Sequence, residues 1–260
     1  MSLIHAFILG IVQALTEFFP VSSSAHLKLT KLLLGIEEVQ GVHLFDLSCH
    51  LGTLFAILYF LKGDIKEIIQ SNRSKAFMIF VATLPLVPAY FLMKPLREFA
   101  SHIEYLGFCL IGTGIILFLG QNLKLRYTKN ESQSMKIKDI LWIGTAQSFA
   151  LIPGISRSAS TISCAKILGW DVKDAVRFSF LLSIPTVCGG NALELVKLTL
   201  SSEIHFKDYL GGCAVAFFTA LLGGFAIVKI AMNVLESGKL YPFAYYCISV
   251  GIITWIFVGW

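Results

Sequence analysis

At 260 residues, 56% hydrophobic and 14% charged, with a mean hydropathy of +0.75, the chain carries too little charged surface for a soluble globular protein. Its formal net charge of +5 is modest and gives no reason to expect a nucleic-acid partner. The six cysteines stand singly, with no CxxC or Cys/His ligand spacing, so free thiols facing core or lipid are expected.

Taken in chain order, the segment 3–19 is apolar but short, and Pro20 and Ser22-Ser23-Ser24 follow it. The next apolar piece, 27–34, is shorter still and carries Lys28 and Lys31. Neither is comfortable across about 30 Å of hydrocarbon. A re-entrant helix pair accounts for both, because broken backbone at membrane depth needs protein or a water-filled cavity around it. Apolar runs then predict spans over 45–61, 76–93 and 105–121. A second broken pair is predicted over 139–152 and 159–168, and further spans over 175–196, 208–230 and 241–260. Trp255 and Trp260 read as interfacial anchors of the last span. The N-terminus has no basic region or cleavage site, so a removable signal peptide is not expected.

The two broken pairs align without a gap. GIVQALTEFFPVSSSAHL (10–27) and GTAQSFALIPGISRSAST (144–161) share Gly10/Gly144, Gln13/Gln147, Ser22/Ser156, Ser24/Ser158 and Ala25/Ala159 at one offset of 134. Leu34-Gly35 and Leu168-Gly169 keep it. The expected fold is therefore an all-α polytopic membrane protein, one integral domain over 1–260. It comprises an inverted-topology repeat with two re-entrant helix pairs plus about six transmembrane helices. Repeat 1 covers about 1–121, repeat 2 about 139–260, and a cytoplasmic loop 122–138 joins them.

Charge bias agrees with that topology. Lys62, Lys66, Arg73, Lys75, Lys124, Arg126, Lys129, Lys136 and Lys138, followed by Lys166, Lys173, Arg177, Lys229 and Lys239, gather on one side. Only Lys28, Lys31, Lys94, Arg97, Lys197 and Lys207 fall on the other, which places the first set in the cytoplasm. The first pair would then enter from outside and the second from the cytoplasm.

The residues with chemistry cluster at the two breaks. Gln13 and Glu17, four apart, share a helix face, and an ionisable side chain within a membrane segment is by default a functional-site candidate. The blander reading makes Glu17 a cap at the interface. Ser22, Ser23, Ser24 and His26 offer hydroxyls and freed backbone N–H groups suited to phosphate, and equally a nucleophile with a base. A turn and N-cap would explain one serine. In the second copy, Pro153-Gly154 frees backbone donors before Ser156, Arg157 and Ser158, and arginine binds phosphate through a planar fork. Arg157 could instead pair with Glu17 and pin the halves together. For His43, Asp46 and His50 a supporting or interfacial role is favoured over catalysis, and His5, His102 and His205 read as interfacial. Lys173 and Arg177 read as cytoplasmic anchors.

These residues resemble the bacterial undecaprenyl-diphosphatase family, the bacitracin-resistance type of lipid phosphatase, along essentially the whole chain. The first motif stands as Gln13-Ala-Leu-Thr-Glu17 followed by PVSSSAH, and the second as Pro153-Gly154-Ile155-Ser156-Arg157-Ser158-Ala159-Ser160-Thr161. The resemblance implies removal of the terminal phosphate of undecaprenyl diphosphate, giving the monophosphate carrier of cell-wall synthesis. It also implies a divalent cation (Mg2+ or Ca2+) with Glu17 as ligand, a polyprenyl diphosphate lipid as partner, and a site open to the outer, periplasmic face of the bacterial inner membrane. Functional positions carry over to Glu17, Ser23, His26 and Arg157, with Gln13, Ser22, Ser24, Gly154, Ser156, Ser158 and Thr161 binding substrate. Gln13 leaves one carboxylate where many members have two. Ser23 is favoured as nucleophile with His26 protonating or orienting, while attack by His26 or water stays open, as does a homo-oligomer. The rival reading is a flippase or carrier that binds the lipid without hydrolysing it, since inverted repeats with broken helices are transporter architecture.

Overall fold

The computed structural model describes residues 2–36, 40–124, 136–200 and 206–258, apart from the side chains of Gln40, Phe206 and Lys207. Most of the loop 122–138, His205 and Trp260 therefore lie outside the described residues. Helices are α1 (Leu3–Thr16), α2 (Ser23–Leu33), α3 (His43–Phe60), α4 (Lys62–Gln70), α5 (Arg73–Thr83), α6 (Leu86–Leu92), α7 (Lys94–Ala100) and α8 (Leu106–Asn122). There follow α9 (Ile137–Ser148), α10 (Arg157–Ile167), α11 (Val172–Leu200), α12 (Phe206–Glu236) and α13 (Tyr241–Val258). The described residues contain no strand.

The chain is an all-α polytopic membrane protein. Among the described residues, six helical stretches are long and apolar enough to cross a membrane: His43–Phe60, Arg73–Leu92, Ile103–Asn122, Val172–Leu200, Asp208–Glu236 and Tyr241–Val258. They fall on the six apolar runs read from the sequence. Two stretches read as loops, 62–75 and 94–104, hold the short helices α4 and α7. In α4 the apolar Ile65 and Ile68 pack toward the core while Lys62, Lys66 and Glu67 stay outward, the pattern of a surface helix.

The short pairs α1–α2 and α9–α10 repeat each other in detail. Helices α2 and α10 both have 11 residues, and their bounds 23–33 and 157–167 coincide at the 134-residue offset. At about 1.5 Å per residue, the 14 residues of α1 cover roughly 21 Å, short of a bilayer core. The halves also exchange contacts reciprocally. A Cβ on Gly10 would lie 2.9 Å from the carbonyl oxygen of Ala216 in α12, and a Cβ on Gly144 would collide with the carbonyl of Ala82 in α5. Gly10/Gly144 and Ala82/Ala216 are themselves pairs at the same offset, so each close approach, which only glycine permits, is the image of the other.

The breaks are braced in the same crossed way. Thr113 of α8 donates to Gly154 O at 2.9 Å and accepts from the Ser156 N–H at 3.0 Å, satisfying the turn between α9 and α10. Cys247 of α13, at the equivalent position, reaches Pro20 O at 3.8 Å in the turn between α1 and α2. Helices α8 and α13 pack on each other, α12 packs on α1 and α3, and α11 packs on α3. Phe18 beside the first break is buried and stacks on Phe180 of α11 at 6.3 Å, so the core closes directly behind the two turns.

Candidate functional site

The site begins where α1 ends. Glu17 caps α1, its N–H bonding Gln13 O at 2.9 Å, so its side chain keeps the helical face it shares with Gln13. The chain then turns through Pro20 into α2, and Ser22 takes a left-handed backbone, φ 67, which is uncommon for a side chain with a Cβ. That turn brings Ser23, the first residue of α2, back over Glu17. In the second copy Gly154 supplies the positive φ, 97, and Ser156 is an ordinary N-cap whose hydroxyl accepts from Ala159 N. Arg157 thereby opens α10 as Ser23 opens α2.

Glu17 is the hub. Its Oε1 accepts from Arg157 Nη2 at 3.0 Å, and its Oε2 accepts from Ser23 Oγ at 2.6 Å and from Gln13 Nε2 at 3.0 Å. His50 Nδ1 of α3 lies 3.5 Å from the same Oε2 and 2.8 Å from Gln13 Nε2. Thr53, one turn further along α3, lies 3.3 Å from Gln13 Nε2. Arg157 also reaches Ser179 O of α11 at 3.4 Å. The Glu17 and Arg157 side chains are 9% and 16% exposed, so this ion pair between the halves is largely withdrawn from solvent. A buried pair of that kind is destabilising to break, because the remaining charge is left uncompensated.

These groups face a cavity of about 200 Å3. Its polar wall holds Glu17, Ser22, Ser23, Ser24, His50, Gln147, Ser156, Arg157, Ser158 and Thr186. Phe19, Leu86, Ala150, Leu151, Ile155 and Val187 make the rest apolar. Two helix N-termini, those of α2 and α10, open onto it. The first N–H groups of a helix have no intrahelical partner, and together with the helix dipole they favour an anion. Each N-terminus carries a serine pair, Ser22–Ser24 at 3.3 Å and Ser156–Ser158 at 3.2 Å between hydroxyl oxygens. A hydroxyl bonded to a carboxylate, an arginine fork and two helix starts form a constellation for attack on an anionic centre.

Of the residues read from the sequence, Glu17, Ser22, Ser23, Ser24, Ser156, Arg157 and Ser158 meet at the cavity. Gln13 sits behind Glu17, fully buried, and orients it. The structure does not bring His26, Gly154 or Thr161 there. His26 Nδ1 bonds Ser22 O at 2.8 Å, its Nε2 bonds the Tyr246 hydroxyl at 2.7 Å, and its ring stacks on Tyr246 of α13. Both ring nitrogens of His26 are thus engaged, and its ring packs on α13 rather than lining the cavity. Thr161 bonds Arg157 O at 3.0 Å and Ser179 Oγ at 2.7 Å, which fixes α10 against α11. Gly154 serves the turn.

The histidine at the cavity is His50, for which the sequence favoured a supporting role. His50, Gln147 and Thr186 are the polar cavity residues that motif reading left out. Gln147 alone had a signal, its match to Gln13 in the repeat. Lys31 and Asp46 form a further ion pair at 2.8 Å that ties α2 to α3.

The family model described as bacitracin resistance protein BacA matches residues 6–253. A relative named undecaprenyl-diphosphatase from Protochlamydia amoebophila is 40% identical over 262 residues, 99% of each chain. One from Halothermothrix orenii with the same name is 38% identical over 100% of this chain and 99% of its own. Another from Methanobrevibacter smithii is 34% identical over 100% of this chain and 98% of its own.

Proposed function

The chain belongs to the bacitracin resistance protein BacA family, and on that footing we propose that it hydrolyses undecaprenyl diphosphate to undecaprenyl phosphate and inorganic phosphate. The observation that carries this reading is the convergence of Ser23, Glu17 and Arg157 on one cavity from two halves of the chain. Ser23 donates to Glu17 Oε2 at 2.6 Å, so Glu17 takes the proton as Ser23 Oγ attacks the terminal phosphorus. The bond from that phosphorus to the bridging oxygen breaks, and the lipid monophosphate leaves with the electron pair. Arg157 and the N–H groups at the starts of α2 and α10 stabilise charge on the transferring group. The departing monophosphate takes up that proton from Glu17. Water then attacks the phosphoserine, Glu17 taking the water proton and passing it to Ser23 Oγ as inorganic phosphate leaves. His26 is a positioning residue that holds the Ser22 turn to α13.

A divalent cation, Mg2+ or Ca2+, belongs to this proposal. Among the described residues no group of three or more His, Cys, Asp or Glu side chains is placed to hold a metal. The donors present are Glu17, Ser23 and the buried, unpartnered Gln13 Oε1. That set fits a hard cation that arrives with the diphosphate and takes Glu17 as its protein ligand. When bound it supplies charge neutralisation on the phosphates.

The apolar wall of Leu86, Leu151, Ile155 and Val187 suits the first isoprene units of the tail. Loop charge supports a cavity facing the outer side of the bacterial inner membrane, with the halves inverted relative to each other. Hydrolysis there would recycle the carrier of peptidoglycan synthesis, and the family's description supports a role in bacitracin resistance.

The test is phosphate release from undecaprenyl diphosphate by purified protein in detergent, with and without EDTA. EDTA-sensitive release is expected. Retention of the lipid without release would instead establish the carrier. A cysteine introduced into loop 122–138 and labelled from outside intact cells would overturn the orientation.

A further inference from the structure

The repeat assigns Gln147 a partner that the protein itself does not provide. In the first copy Gln13 Nε2 donates to Glu17 Oε2 at 3.0 Å, four residues on. In the second copy the residue four after Gln147 is Leu151, an apolar side chain on the cavity wall. Gln147 is 1% exposed and lines the same cavity. Its Oε1 is held by Thr186, whose hydroxyl is shared between Gln147 Oε1 at 3.2 Å and Leu182 O at 2.7 Å. Its Nε2 has no hydrogen-bond partner among the described residues. A buried amide N–H left unpaired is destabilising, and native structures rarely keep one without a ligand to take it.

We infer that Gln147 Nε2 binds a phosphate oxygen of the substrate, which takes the place relative to Gln147 that the Glu17 carboxylate takes relative to Gln13. This rests on the diphosphate reading above and adds a specificity residue to it. The two glutamines are the same device used twice. The Nε2 of one meets a carboxylate of the protein, and the Nε2 of the other stays open for the anion that the protein must recognise. Thr186 is the positioning residue, because its hydroxyl is the side-chain contact that holds the Gln147 amide to α11.

Three variants test this: Gln147→Met keeps length and volume but loses the donor, Gln147→Glu keeps shape but sets a carboxylate against the anion, and Thr186→Val frees the amide to turn. Phosphate release and retention of radiolabelled undecaprenyl diphosphate are measured together, with thermal unfolding in detergent as the control for folding. Q147M is expected to raise KM about tenfold with kcat within about threefold, the loss of one charge-assisted hydrogen bond. Q147E is expected to raise it about a hundredfold through like-charge repulsion, and T186V about threefold. An unchanged KM in Q147M would overturn the assignment. So would a Q147E enzyme that needs less Mg2+ for half-maximal activity, because that outcome puts Gln147 on the metal. If wild type releases no phosphate, the phosphatase reading fails separately. Retention of the lipid by wild type and not by Q147M would still support the Gln147 contact, and equal retention would sink it.

Discussion

The two short helix pairs share second helices of 11 residues, a proline at the break and a close glycine crossing at equivalent positions, yet they carry different chemistry. The α1–α2 pair contributes a carboxylate and a hydroxyl at the cavity, Glu17 and Ser23. The α9–α10 pair contributes Arg157 at the position equivalent to Ser23, and Leu151 at the position equivalent to Glu17. Matching backbones thus present a carboxylate and a hydroxyl from one side and a guanidinium from the other, which the proposed reaction uses as reacting and charge-neutralising groups. A duplicated scaffold allows this because each helix start points into the shared cavity whatever its side chain is. Division of labour between the copies is what substitutions can break.

Ser23→Ala should have the largest effect. If Ser23 is the nucleophile, its loss should lower the rate by about three to four orders of magnitude, with fold and lipid retention kept. Phosphate release within about tenfold of wild type would mean that water attacks directly and that Ser23 only orients Glu17. Trapping of a phosphorylated wild-type chain, absent in the variant, would add a direct readout.

Arg157→Lys comes next. The lysine keeps one positive charge near Glu17 but loses the planar fork, so we expect about a hundredfold loss in phosphate release. Arg157→Ala should cost more and should also unfold the protein more easily, by up to roughly 3–5 kcal/mol, because the buried Glu17 loses its guanidinium partner and keeps only Ser23, Gln13 and His50 on its other oxygen. If R157K restores stability without restoring activity, Arg157 has a role toward the anion beyond its ion pair. Recovery of both would make it a structural clamp.

Much of this was legible in the sequence, and the reason is local in each case. The six spans are continuous apolar runs, and each break carries a proline with serines after it. That Ser23 and Arg157 face one centre was legible in the repeat, since they open equivalent helices, and the direct pairing of Arg157 with Glu17 stood there as an alternative. His50 was not assigned to the cavity because it stands on a long apolar helix, and only the packing of α3 against α1 and α11 decides which residues of that helix reach Glu17. His26 was grouped with Ser23 by adjacency in the motif, but its bonds to Ser22 O and to Tyr246, 220 positions away, set the direction of its ring. Helix α4 could have been read: its isoleucines recur at helical spacing, and only shortness hid it.

The crossed braces offer a smaller and sharper contrast. Thr113→Val removes the partner of two buried backbone groups, Gly154 O and Ser156 N, at about 1–3 kcal/mol for each group left unsatisfied. Cys247→Ala removes only a long contact from sulfur to Pro20 O and should cost about 1 kcal/mol or less beyond the lost packing. Thermal unfolding of the two variants side by side measures the difference. Equal losses would mean that the first break depends on α13 as strongly as the second depends on α8.

Gly10→Ala and Gly144→Ala separate stability from activity at equivalent sites. Each adds one methyl to a close helix crossing, and overpacking of this kind costs about 1–3 kcal/mol, partly offset by alanine's better helix propensity of about 1 kcal/mol. At Gly144 the new methyl meets three backbone atoms of Ala82, so α5 and α9 must move apart. At Gly10 the overlap is shallower, 2.7 Å to Thr219 Cβ and 2.9 Å to Ala216 O, and rotation of Thr219 can move its Cγ2, at 3.0 Å, out of the way. Gly144→Ala should therefore lower the unfolding temperature more. Activity should respond in the opposite order, because α1 carries Glu17 directly into the cavity, whereas the cavity residue of α9 is Gln147. A displacement of α1 shifts Glu17, the proposed base, away from Ser23, and the 2.6 Å contact between them tolerates little movement. If the two variants instead lose activity in proportion to their loss of stability, the copies contribute alike, and the assignment of the reacting groups to the first copy would have to be withdrawn.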